Sequence, residues 1–139
     1  MLKNIDPILT GDLLAILRDM GHGDEIVISD RNFPSTAIAT RLVRMPGLDA
    51  DRVVQAIVSV MPLDEFVPKP AIAMASPDGR PAIRDAFDAA LTQGHGGAVE
   101  VEEIERFAFY DRAKTAFAVV ATGESRLYAN LILKKGIVR

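Results

Sequence analysis

The triplet Ile26-Val27-Ile28 is apolar on both of the faces that a strand presents, because successive side chains point to opposite sides of a sheet. A strand of this kind needs cover on both sides, and helices are the elements that supply it. The rest of the chain agrees. Leu13, Leu14, Leu17 and Met20 recur at helical spacing and predict a helix from about Thr10 to Met20. An extended piece is expected around Arg41 to Arg44. A helix then starts at Asp49 or Asp51, carries Val53, Val54, Ile57, Val60 and Met61 on one stripe, and is stopped by Pro62. Pro68 and Pro70 lead into a strand at Ala71 to Ala75, ended by the turn Ser76-Pro77-Asp78-Gly79. A helix over Pro81 to Leu91 and a glycine-rich loop, Gln93-Gly94-His95-Gly96-Gly97, come next. A strand at Val99 to Ile104, a helix at Arg106 to Thr115, a strand at Ala116 to Thr122 and a last strand at Leu131 to Lys134 complete the pattern. The reading is α/β: one layered domain over residues 1–139, with a central, mostly parallel sheet flanked by helices.

Charge and composition remove several classes of function. Sixteen basic residues stand against 19 acidic ones, a net charge of −3, and neither sign gathers into a run, so nucleic acid and anionic membranes are not expected partners. With no cysteine there is no disulfide, thiolate metal site or thiol nucleophile. No apolar stretch is long enough to span a bilayer, and Met1 to Pro7 lacks the features of a secretory signal; a cytoplasmic protein is the expectation. Apolar residues make up 49% of the chain with few aromatics, a surplus that predicts self-association.

Three segments offer chemistry. In Met20-Gly21-His22-Gly23-Asp24-Glu25 a histidine stands between two glycines, just before the first strand. Histidine exchanges protons near neutrality, and the glycines free the backbone around it. Gly21 also reads as an ordinary helix cap, which would leave His22 a loop residue. That strand ends at Asp30, where open α/β sheets place their ligand crevices, although Asp30 also suits a plain turn. In Glu105-Arg106-Phe107-Ala108-Phe109-Tyr110-Asp111-Arg112, Arg106 and Tyr110 share a helix face, so a donor fork and a phenol could meet one polyhydroxylated ligand. Phe107 and Phe109 read as core and Arg112 as solvated. The turn Gly123 to Asn130 presents Tyr128 and Asn130, the latter with donors and an acceptor suited to vicinal hydroxyls. The glycine-rich loop lacks the Lys-Ser/Thr of a phosphate loop, and His95 within it reads as exposed. A divalent-metal set drawn from His22, Asp24, Asp30 and His95 has no recognised ligand spacing.

These blocks, together with Phe33-Pro34, Thr122-Gly123-Glu124 and Leu133-Lys134-Lys135-Gly136, stand in an order that resembles the bacterial L-fucose mutarotase and D-ribose pyranase family over nearly the whole chain. The resemblance implies an enzyme that interconverts the α and β anomers of L-fucose or a related monosaccharide by acid/base ring opening and closing, without cofactor or metal. It puts the proton-transferring histidine at His22 and substrate binding at Asp30, Arg106, Tyr128, Ala129 and Asn130. Tyr110 is the candidate second proton carrier, and Asp24 a candidate to orient His22. It also implies ring-like homo-oligomers, a decamer being one expected size, with the site at a subunit boundary and no activity in a monomer. Arg106 and Phe33-Pro34 favour the fucose branch. Between Asp30 and Thr40 the chain departs from the fucose pattern at Arg31-Asn32 and Ser35-Thr36-Ala37, which leaves the sugar open. The alternatives are a D-ribose pyranase, or a non-catalytic sugar-binding protein associated with transport.

Overall fold

The computed structural model describes residues 1–139. The Ile26-Val27-Ile28 triplet sits in β1 (Glu25–Ser29), near the middle of a six-stranded sheet. The other strands are β2 (Leu42–Met45), β3 (Ala71–Met74), β4 (Val101–Ile104), β5 (Ala118–Thr122) and β6 (Leu131–Lys134), in the order β2-β5-β1-β6-β3-β4. All run parallel except β6, which is antiparallel to both of its neighbours. Ile28 lies opposite Val120 of β5 on one edge of β1 and Leu131 of β6 on the other.

Helices cover both faces, as the doubly apolar strand requires. On one face α1 (Gly11–Asp19), α3 (Ala50–Val58) and α4 (Ile83–His95) bury Leu13, Leu17, Val53, Val54, Ile57, Phe87 and Leu91 against Ile26, Ile28, Ala73 and Leu131. On the other, α2 (Ser35–Ile38) and α5 (Arg106–Ala113) cover Val27, Ile72, Val119 and Ile132, with Phe33 and Phe109 as the large fillers. Alternate residues of β1 thus feed different cores. The second face holds nine buried core residues against 27 on the first, and this thinner layer is where the sheet leaves room for a ligand.

Local chemistry accounts for the helix starts. The Thr10 hydroxyl accepts from the Leu13 amide at 3.2 Å to cap α1. The Glu105 carboxylate accepts from the amides of Phe107 and Ala108 at 2.9 and 3.1 Å, which fixes Arg106 in the first turn of α5.

Two segments differ from the sequence reading. No loop runs from Gln93 to Gly97; α4 continues through Gln93, Gly94 and His95 and stops at Gly96, whose φ of 85° gives the left-handed cap. Gly94 is a packing residue. A side-chain methyl there would collide with Val58 and stand 2.6 Å from the Gln55 carbonyl oxygen, so its bareness is what lets α4 lie close on α3. His95 is exposed, but at a helix end. Within α5, Phe109 is fully buried, whereas Phe107 is 60% exposed and is not core. Arg112 is not solvated either: its guanidinium donates to both Glu25 oxygens, at 3.1 and 2.6 Å, and ties α5 to the start of β1. The α2 turn was not foreseen at all.

Gly94→Ala gains about 1 kcal/mol of helix propensity but must force α3 and α4 apart, at about 1–3 kcal/mol. The expected result is a net loss of stability in denaturant unfolding; a stabilised variant would mean that the two helices part freely.

Candidate active site

The parallel strands all end on one side of the sheet, and β6 begins there. The carboxyl end of β1 delivers Asp30, that of β3 delivers Met74, and the start of β6 delivers Asn130. Asn130 welds the three. Its Oδ1 accepts from the Asp30 amide at 2.8 Å, its Nδ2 donates to Asp30 Oδ2 at 3.0 Å, and its carbonyl accepts from the Met74 amide at 3.1 Å. Asp30 Oδ1 accepts in addition from the Asn32 amide at 2.9 Å. Burial is the main influence on the Asp30 carboxyl and pushes its pKa above the ordinary value, against the bonds from Asn32, Asn130, Phe33 and Ala129 that work to lower it. A carboxylate so held is a fixed acceptor.

Above this base lies a cavity of about 180 Å³, lined by Asp30, Asn32, Phe33, Met74, Arg106, Tyr110, Leu127, Tyr128 and Asn130. Sites for drug-sized ligands run to roughly 300–1,000 Å³, so this one admits a single small ring. The Arg106 guanidinium forms no ion pair and stacks over the rings of Phe107 at 4.5 Å and Tyr110 at 5.9 Å, which leaves its donors free. Tyr110 is held edge-on to Phe33 at 5.4 Å and to Phe107 at 6.1 Å, and its hydroxyl has no partner within the chain. Tyr128 has φ of 58°, a left-handed conformation that a tyrosine adopts only at a cost, and it is one wall of the cavity. Ala129 is fully buried, so only its backbone can serve the site.

His22 is elsewhere. It precedes β1 while Asp30 follows it, and five strand residues alone separate the two by about 16 Å. His22 lines a different and larger groove with Met20, Met61 and the chain beyond β6. The same separation breaks up the metal set drawn from His22, Asp24, Asp30 and His95. Asp24 does not orient His22; its Oδ2 accepts from the Gly21 amide at 2.7 Å and closes the turn on itself. The partner of His22 is Asp64, whose Oδ1 lies 3.1 Å from the ring Nε2. Exposed apolar side chains edge both places: Phe66, 63% exposed, lies 5.2 Å from the His22 ring, Leu127 lines the Asp30 cavity, and Phe107 lines the hollow next to it with Arg106 and Tyr128.

Residues 3–138 match the model of the RbsD / FucU transport protein family. The chain belongs to that family. It is 44% identical to the L-fucose mutarotase of Glaesserella parasuis over 140 residues, covering 99% of this chain and 96% of that one. It also superimposes on a fucose mutarotase of Streptococcus pneumoniae solved with L-fucose, at 41% identity and a TM-score of 0.90, covering 99% and 100% of the two chains. RbsD of Bacillus subtilis, solved with D-ribose, is more distant at 29% identity and a TM-score of 0.75 over the full length of both.

Within this RbsD / FucU chain the sequence reading brought Asp30, Arg106, Tyr110, Tyr128 and Asn130 to one cavity, but it missed Asn32, Met74 and Leu127 as lining residues, and Asp64 as the partner of His22. Asp64 belongs to no motif, and only the fold carries it to His22. Glu124 was likewise passed over. It is 1% exposed and accepts from the Ala50 and Arg126 amides at 3.1 and 2.9 Å and from the Arg126 guanidinium, which reaches on to Asp51. The Glu124 carbonyl also accepts from the Arg31 amide at 3.0 Å, so the loop leading to Tyr128 is fastened beside Asp30. The three acidic side chains Asp49, Asp51 and Glu124 approach one another, and Arg126 pairs with Asp51 and Glu124.

Burial alone would raise the Glu124 pKa, but the Arg126 side chain and the two amides outweigh it and hold the group at about 2, against an ordinary 4.5. A depressed acid stabilises the fold above its unfolded pKa and loses that contribution as the pH falls through the folded value. Glu124 therefore contributes on the order of 2–3 kcal/mol at neutral pH, lost between about pH 4.5 and 2. Glu124→Gln should lower the denaturant midpoint at pH 7 and flatten the acid limb of stability against pH; an unchanged midpoint would show that the carboxylate is not the anchor.

Proposed function

We propose that this chain is a sugar mutarotase that interconverts the α and β anomers of L-fucose, in a site made of the Asp30 cavity of one copy and His22 of a second copy. The observation that carries the reading is the convergence of Asp30, Arg106, Tyr110, Tyr128 and Asn130 on a cavity sized for one sugar ring, in a chain 44% identical to an L-fucose mutarotase. The separation of His22 from that cavity supports the second half. A ring-like homo-oligomer would bring the two together and bury Phe66, Phe107 and Leu127 as it did so.

The reaction opens a cyclic hemiacetal and closes it on the other face. Uncatalysed opening over minutes to hours corresponds to a barrier of about 21–22 kcal/mol. An oriented acid and base, each contributing on the order of 100- to 10,000-fold, lower it enough. His22 takes the proton of the anomeric hydroxyl while the free Tyr110 hydroxyl donates to the ring oxygen, and the C1–O5 bond breaks to give the aldehyde. After rotation about C1–C2 the released hydroxyl attacks the opposite face, its proton returns to Tyr110, and His22 reprotonates the aldehyde oxygen. Asp30 and Arg106 hold the other hydroxyls as acceptor and donor, and Tyr128, Ala129 and Asn130 shape the entry. No step consumes a cofactor, and no helix of the chain is long and apolar enough to cross a membrane.

A D-ribose pyranase would need the same proton transfers, but its relative is the more distant one. Pure sugar binding, as part of transport, gives no reason for a histidine at position 22.

Saturation-transfer NMR on L-fucose and on D-ribose should show faster anomer exchange for fucose, and no acceleration of either sugar would sink the reading. His22→Asn should slow the exchange at least about 100-fold with the fold intact. Mixing His22→Asn with Asp30→Asn subunits, each inactive alone, should restore about a quarter of the activity by random co-assembly; no recovery would place both residues in one copy. Arg106→His should weaken fucose relative to ribose, and an unchanged ratio would move specificity to other residues.

A further inference from the structure

Lys134 is the last residue of β6, and alternation along the strand turns its side chain to the face of Ile132, the side that α5 covers. A charged group in such a place is ordinarily paired. Its cross-strand neighbour is Glu25, directly opposite in the antiparallel ladder and of the right sign. Glu25 is already engaged, because both of its oxygens accept from Arg112, at 3.1 and 2.6 Å. The Lys134 ammonium is left half-buried with no ion pair and no hydrogen bond within the chain, and its charge reaches Asp64 only across space. The backbone beneath it is fixed. The Lys134 and Lys135 carbonyls accept from the Asp64 and Gly23 amides at 3.0 and 2.9 Å, so the strand end is held between two loops.

Two more cations meet it. A hollow of about 340 Å³, at the end of the sheet away from Asp30, is lined by Val67, Pro68, Lys69, Glu102, Arg112 and Lys134. Lys69 stands between Pro68 and Pro70, and the proline that follows confines its backbone to extended conformations; its ammonium has no partner in the chain either. Arg112 uses Nε and Nη2 on Glu25, which locks the guanidinium plane and leaves Nη1 unengaged. Three cations thus face one acid, Glu102, in a chain whose net charge is −3. Two free ammonium groups and a fixed guanidinium N–H can only donate, the set that suits a tetrahedral oxyanion.

We infer that this hollow binds the phosphate group of a small organic phosphate monoester, with Lys69, Lys134 and Arg112 Nη1 as its donors. Such a group carries about −1.5 to −2 charges at pH 7 and three strong acceptor oxygens. It matches the three donor groups and outweighs the single Glu102. Size separates the ester from the free ion. At about 340 Å³, against about 180 Å³ for the one-ring Asp30 cavity, the hollow has room for a phosphate and a ring together. Val67 and Pro68 supply an apolar wall for that ring. The site needs none of the sugar chemistry proposed above and stands or falls apart from it.

Titration of the ¹⁵N-labelled wild-type protein at pH 7 and low salt, with inorganic phosphate and separately with a hexose 6-phosphate, reads both affinity and place. Low salt matters because the hollow is open to solvent and its field is screened. The ester should give saturable shifts at the amides around the hollow and at Gly23, beside which the Lys134 side chain runs. It should bind at least about 5-fold more tightly than inorganic phosphate, the difference being the contact of its ring with the apolar wall. Lys134→Gln should weaken the ester at least about 10-fold, and Lys69→Gln should weaken it by less. Lys3→Gln, at an exposed lysine outside the hollow, should change nothing. Glu102→Gln should tighten binding about 2- to 5-fold, a gain that a misfolded variant does not mimic. Equal affinities for inorganic phosphate and the ester would overturn the assignment to an ester. The absence of saturable shifts, a loss in Lys3→Gln as large as in Lys134→Gln, or an unchanged affinity in Glu102→Gln would overturn the site itself.

Discussion

One reversed strand organises the molecule. β6 enters antiparallel between β1 and β3 in a sheet whose other strands are all parallel. Because it runs backwards, its first residues meet the last residues of its neighbours, and its last residues meet their first. Asn130 thus arrives beside Asp30 and Met74, and Lys134 to Gly136 arrive beside His22 and Asp64. β6 begins beside the Asp30 cavity and ends beside the His22–Asp64 pair, and its centre, Leu131 to Leu133, is wholly buried.

The cavity end is built at a cost. An acid whose pKa is raised on folding destabilises the fold once the pH exceeds its unfolded value, so Asp30 works against stability at neutral pH. Tyr128 adds a backbone conformation worth on the order of 1–3 kcal/mol of strain. Neither feature serves packing. Glu124 has the opposite sign and holds the same loop down, and the Phe33–Phe109–Tyr110 cluster supplies the apolar support. Strain at the site and anchorage beside it are the usual partition where a fold must present a fixed acceptor to a ligand.

What could be read from the sequence followed period and burial. The strands, α1, α3 and α5 are legible because apolar residues repeat at 2.0 or 3.6 and because Thr10, Pro62 and Glu105 mark their limits. Gly94 misled because a glycine packed inside a helix looks the same in sequence as one that breaks it, and only the distance to Gln55 and Val58 tells them apart. Phe107 misled because an aromatic ring in a single chain gives no sign of being left outside. α2 was hidden in four residues, too few to show a period. Asp30, Arg106, Tyr110, Tyr128 and Asn130 were legible as chemistry. That His22 stands apart from them was legible in part: the strand read between His22 and Asp30 sets the two a strand-length apart, but sequence order does not show what else meets the ring. Asp64 lay beyond reach for a simpler reason: its pairing with His22 spans 42 positions and is made by β6.

The separation of His22 from the Asp30 cavity bears on why the chain carries bare apolar groups. A monomer exposing Phe66, Phe107 and Leu127, each at least 60% open to solvent, pays for that surface unless something covers it. All three lie at the edges of the two places that a sugar reaction would have to unite. Burying them against another copy would supply association energy, at roughly 25 cal/mol per Å² of apolar area, at the spot where the base must meet the hemiacetal. Assembly and catalysis would then share one contact. Dilution below the dissociation constant of the assembly should extinguish exchange activity and leave each subunit folded, since the ion pairs and both cores lie within a single chain.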